Sequence, residues 1–140
     1  MVDNALGLLL AATLVLACSQ KVHAIETPRQ LARYCERVET GVKGTGRHIR
    51  IPRAKEALLC WGYMEAMQDL SVITNDDGIR IVGSCPPEHA TLLQLIHTFV
   101  AYARSHPKEL RGNTAVMVIR ALQQAYPCPQ AKSDAASSMN

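Results

Sequence analysis

The stretch SHPKELRGNTAVMVIRALQQAYPC, Ser105 to Cys128, decides the fold. It holds a short connection and then a helix with a readable start and end. Asn113 stands where an N-cap belongs, its side-chain oxygen placed to accept an orphan N–H of the first turn. Ala115, Ile119, Leu122 and Tyr126 recur at helical spacing as one apolar stripe. Pro127 cannot continue the ladder and stops it. Upstream, TLLQLIHTFVAYARS (91–105) opens with Thr91 and has Gln94 three residues on, a capping box. Leu92, Ile96, Phe99, Val100 and Ala103 are expected to face inward, and the His106-Pro107 step ends this helix. Two helices joined by a short connection lie antiparallel. The start of the first and the end of the second are then neighbours. Cys85 precedes the first and Cys128 follows the second, so a disulfide between them would close the open end of the hairpin.

The N-terminal half repeats the arrangement. Thr27, Pro28 and Gln30 form a cap, a first-turn proline and a capping-box partner. Leu31, Tyr34, Cys35 and Val38 follow as a stripe, and the glycines of TGVKGTGR end the helix. A second helix is expected from about Pro52 to Leu70, with Cys60, Tyr63, Met67 and Leu70 on its buried side. Leu58, Leu59, Trp61 and Met64 make it apolar on other sides too, which predicts a central helix. Gly62 costs about 1 kcal/mol against alanine in mid-helix and is expected where another helix packs close. Four cysteines allow three connectivities. The hairpin argument pairs Cys35 with Cys60 as it pairs Cys85 with Cys128. The expected fold is all-α, a small four-helix bundle of two α-hairpins with two disulfides, over residues 25–128.

Composition agrees. One Trp, one Phe and four Tyr among 140 residues leave the core to Leu, Ala, Met and Val, mostly good helix formers. The length is that of one domain. A net charge of +3 speaks to solubility and not to nucleic acid. Residues 1–24 read as a cleavable export signal: an apolar run from Ala5 to Cys18, too short to span a bilayer, then small residues before Ile25. The n-region, MVDN, lacks the usual cation. LVLAC also resembles a lipobox, with Cys18 as the lipidated residue and a lipid-anchored protein as the alternative to a free periplasmic one. Residues 129–140 are small and polar, an expected disordered tail.

No catalytic constellation emerges. A cysteine nucleophile needs a free thiolate beside a base, and Cys60 lies on a buried stripe. No Cys-x-x-Cys or His-Glu-x-x-His pattern suggests zinc, and His97 reads as a partly exposed surface residue. GVKGTGRHIRIPR clusters glycines with Lys43, Arg47, Arg50 and Arg53 but lacks the Gly-Lys-Ser/Thr ending of a phosphate loop. It reads as a solvated loop without cofactor. Glu65 and Asp69 read as a solvated helix edge. The segment ITNDDGIRIVGSCPP reads as a loop with an Asp77-Gly78 turn. Its acidic tip, with Asn75, Asp76, Asp77 and Arg80, is the candidate contact with a protein partner, where a carboxylate could plug a basic or histidine-containing cleft.

The ordered set of LCWGYMEAMQD, CPPEHATLLQL, YARSHPKEL and AVMVIRALQQAYPC resembles the immunity proteins of type VI secretion amidase effectors, the Tai family and its resistance-associated relatives. Cys85, Pro87, Thr91, Gln94, Tyr102, His106, Pro107, Pro127 and Cys128 carry most of the likeness, with Gly62-Tyr63 in the N-terminal half. The resemblance implies a helical, disulfide-bonded periplasmic protein, often a homodimer, that binds a peptidoglycan amidase and occludes its active site without catalysis of its own. It does not identify the partner. The alternative is a helical envelope protein, chaperone-like or structural, that reuses the same fold.

Overall fold

The computed structural model describes residues 25–44 and 49–129. The expected export signal with Cys18, Arg47 and the expected tail beyond Pro129 lie outside the described residues. Four α-helices pack together: α1 (Pro28–Gly41), α2 (Lys55–Ser71), α3 (Leu92–Ser105) and α4 (Thr114–Ala125). A single 3₁₀ turn, Glu109–Arg111, lies in the connection between α3 and α4.

The caps act as local chemistry dictates. Asn113 Oδ1 accepts from the Val116 N–H at 3.1 Å. At α3 the box is complete: the Gln94 N–H donates to Thr91 Oγ1, and Gln94 Oε1 accepts from the Thr91 N–H at 2.8 Å. At α1 it is displaced by one residue. Thr27 Oγ1 accepts from the Gln30 N–H, but Gln30 Oε1 accepts from Glu26, while its amide donates to the Tyr34 hydroxyl. α2 begins at Lys55 rather than Pro52, with Ala54 as a cap that has no side-chain acceptor.

α1 and α3 form the middle of the bundle. α2 packs against both, and α4 packs chiefly on α3. α2 is therefore peripheral and not central. Its buried line is Ala57, Cys60, Met64, Met67 and Ser71, whereas Leu58 and Leu70 are 49% and 42% exposed. Several faces of this helix are apolar, so its phase is set by the Cys60 bond to α1. Gly62 consequently points outward, and nothing lies within 4 Å of where a Cβ would sit. No close helix accounts for it. The close approach is instead at Gly41, where an added Cβ would collide with the Pro52 ring.

The phase of α4 also differs from the expected stripe. Thr114, Met117, Val118, Ala121 and Leu122 are buried, with Ala115, Ile119 and Tyr126 only partly so. The Tyr126 hydroxyl shares a 3.2 Å hydrogen bond with Thr98 Oγ1, which holds that ring at the rim. In α3, Leu92 is half-buried, and Leu95 and Tyr102 join Ile96, Phe99, Val100 and Ala103 inside. The core centres on the fully buried Leu31, Met64, Phe99, Met117 and Leu122. Burial of such a side chain contributes roughly 1.5–3 kcal/mol.

Cys35 is bonded to Cys60 and Cys85 to Cys128, with Cα–Cα separations of 5.1 and 4.8 Å. The first bond is buried and joins α1 to α2. The second closes the α3–α4 hairpin, where the Cys85 N–H also donates to the Tyr126 carbonyl at 2.8 Å. At the opposite end of that hairpin, the Tyr102 hydroxyl donates to the Glu109 carboxylate, and Arg120 reaches the same carboxylate at 3.3 Å. His106 stacks on Tyr102 with ring centroids 3.9 Å apart. The YARSHPKEL motif thus builds the turn. Burial, and secondarily the Glu109 carboxylate, push the Tyr102 hydroxyl above its ordinary pKa.

Candidate partner-binding surface

The segment after α2 is more ordered than a plain loop. Thr74 pairs with Arg80 in an antiparallel bridge, so the strand-like residues Ile79-Arg80-Ile81 find a partner just before the turn. The Asn75 N–H donates to the Ile79 carbonyl at 2.9 Å, and the Ile81 N–H to the Ile73 carbonyl at 3.0 Å. Asn75 organises the tip: its Oδ1 accepts from the backbone of Asp77 at 3.1 Å and of Ile79 at 2.8 Å. Such an asparagine turn is a local substitute for backbone pairing. Gly78 closes the turn at φ +75°, a left-handed conformation that glycine adopts without steric cost. Buried Ser71 and Val82 anchor the two ends.

The four expected contact residues divide by role. Arg80 Nη1 donates to the Ser71 carbonyl at 2.7 Å, at the C-terminal end of α2 where carbonyls lack helical donors. Asn75 likewise serves the loop itself. Asp76 and Asp77 stand exposed at the tip, without an ion pair among the described residues. The apolar flank was not singled out from the sequence. Val72, Ile73, Ile79 and Ile81 are all exposed, Ile79 by 62%. The signal was present as isoleucines on both sides of Asn75–Gly78, yet each reads alone as an ordinary loop residue. Beside this loop lies a recess of 340 Å³ lined by Gln68, Arg80, Pro86, Pro87 and Glu88. The acidic tip is thus flanked by exposed apolar side chains and lies beside this recess.

Other sequence candidates fall elsewhere. Lys43 and Arg50 exchange backbone hydrogen bonds of 3.0 and 2.8 Å, which pin the ends of the basic loop. His97 Nδ1 lies 2.6 Å from the Glu39 carboxylate, and Arg104 bonds both Glu36 and Glu39, so these groups tie α1 to α3. Glu65 and Asp69 are exposed. All four cysteines of the described residues are in disulfides, and no group of three or more His, Cys, Asp or Glu there could hold a metal. No described helix is long and apolar enough to cross a membrane.

This is a disulfide-stapled helical bundle whose exposed acidic and apolar residues meet on one hydrogen-bonded loop. A model of the Rap1a immunity proteins matches residues 27–128, from the cap of α1 to the last disulfide cysteine. The chain belongs to that family: it is a non-enzymatic inhibitor of a cognate type VI secretion effector. No curated protein and no solved structure matches it.

Proposed function

We propose that the protein is exported, with cleavage before Ile25, and neutralises a peptidoglycan amidase effector in the periplasm by covering its active site. The loop from Val72 to Ile81 is the blocking element, Asp76 and Asp77 entering the cleft while the surrounding isoleucines seal its rim. The observation that carries this reading is the combination of those exposed apolar residues with a backbone already held in place by Asn75 and Arg80. Preorganisation removes an ordering cost that binding would otherwise have to meet. Family membership supports the inhibitory role, and the two disulfides fit an oxidising compartment.

The test is affinity capture of the tagged protein from the periplasm of its native cells, with mass spectrometry of the bound material. The expected result is one amidase in stoichiometric amount. Many unfolded clients, or no partner, would overturn the reading of an amidase as the periplasmic target.

A further inference from the structure

Around the 3₁₀ turn two shallow hollows, of 340 and 390 Å³, adjoin one another and share Arg29 and Pro107. Arg29 and Arg33 sit four residues apart on the first turns of α1, and Lys108 and Arg111 come from the turn itself. None of these four cations has an ion pair among the described residues. Arg104 and Glu36 also line the first hollow, where they pair with each other, and Glu39 holds Arg104 as well. Like charges four apart on a helix repel one another. Concave walls concentrate their combined positive field. Ala32, Ala103, Pro107 and Leu110 supply apolar walls. No aromatic side chain lines either hollow, so nucleobases have no platform for stacking.

The recess beside the acidic loop borders the residues that lead into α3, and the cleft borders the other end of that helix, about 20 Å along it. The chain also enters α1 at the cleft, beside Arg29. We propose that this cleft binds the phosphate of anionic lipid headgroups and seats the protein on a membrane surface with the acidic loop directed outward. Guanidinium groups match phosphate oxygens in pairs, and the apolar walls suit the glycerol region below the phosphate. The proposal is independent of what the loop binds.

The test is co-sedimentation of the protein, purified from the periplasm, with vesicles of phosphatidylglycerol and phosphatidylcholine at low and physiological salt. Wild type should bind the anionic vesicles, and binding should weaken as salt rises. Arg29→Gln/Arg33→Gln and Lys108→Gln/Arg111→Gln should each weaken it at least tenfold with thermal unfolding unchanged. The control Arg53→Gln/Lys55→Gln removes the same net charge away from the cleft and should bind as wild type does. Equal loss in the control would show attraction by net charge alone and overturn the proposal. So would saturable backbone NMR shifts at Arg29 and Arg111 with inorganic phosphate but no vesicle binding, which would mark a site for free phosphate.

Discussion

Arg80 donates to the Ser71 carbonyl across 2.7 Å, tying the far side of the acidic loop to the end of α2. The bond uses a charge to satisfy a helix-end carbonyl and ties the loop to the helix end. A charged donor of this kind contributes about 1.5–3 kcal/mol, less here because the guanidinium is only partly buried.

Arg80→Ala should therefore loosen the loop more than it destabilises the bundle. Amide exchange at Ile79 and Ile81 should accelerate while exchange in α3 is unchanged. Affinity for the effector should fall roughly tenfold, the equivalent of about 1.4 kcal/mol. Unchanged exchange at Ile81 would contradict the tether.

Ile79→Asp should weaken effector binding by a factor of ten or more, since buried interface anchors commonly contribute about 2 kcal/mol or more. The side chain is 62% exposed in the free protein, so the melting temperature should hardly move. Titration calorimetry and a melt separate the two effects.

Cys128→Ser should be costly. In the chain-entropy model, closing a loop with a separation of 43 residues contributes roughly 4 kcal/mol. The urea midpoint should drop accordingly, whereas changes after Pro129 should not shift it. Equal midpoints for Cys128→Ser and wild type would mean that the backbone bond from Cys85 to Tyr126 closes the hairpin unaided.

Much of this architecture was legible in the sequence because it is local. Thr91, Gln94 and Asn113 announce their helices through caps, and the antiparallel hairpins bring the cysteines together. Helix phase was less legible. In α2, Leu58, Leu59, Trp61, Met64 and Leu70 leave several faces apolar, and the choice falls to the Cys60 bond and to packing on α1. The turn network was hidden for a different reason. Tyr102, Glu109 and Arg120 come from two helices and the turn between them, and no short motif contains all three. At the loop, Asn75, Asp76, Asp77 and Arg80 were visible as chemistry, but the roles of Asn75 and Arg80 in holding its shape depend on the fold.

Gly62→Ala offers a check on α2. The outward face has room for a Cβ, so helix propensity alone should raise stability by about 1 kcal/mol. A loss of stability or of effector affinity would indicate that a partner chain packs against Leu58 and Gly62.

Tyr102→Phe should change the alkaline limb of stability. The folded protein holds the Tyr102 proton more tightly than the unfolded chain does. Its contribution is thus complete below the unfolded pKa of about 10 and is lost as pH rises through the higher folded value. Tyr102→Phe should lose about 1–2 kcal/mol at pH 8 with the hydrogen bond to Glu109. It should then decline less than wild type towards pH 11, as urea midpoints at the two pH values would show.

The central claim, that the acidic loop covers an amidase active site, is tested most directly by photocrosslinking. A photoreactive residue at Asp77, and separately at Arg29, would be crosslinked to the captured effector and the joined peptides mapped. Position 77 should join the effector beside its catalytic residues, position 29 should not, and the complex should no longer cleave peptidoglycan. A complex that retains amidase activity, or crosslinks at the catalytic residues from position 29 and none from 77, would contradict the claim.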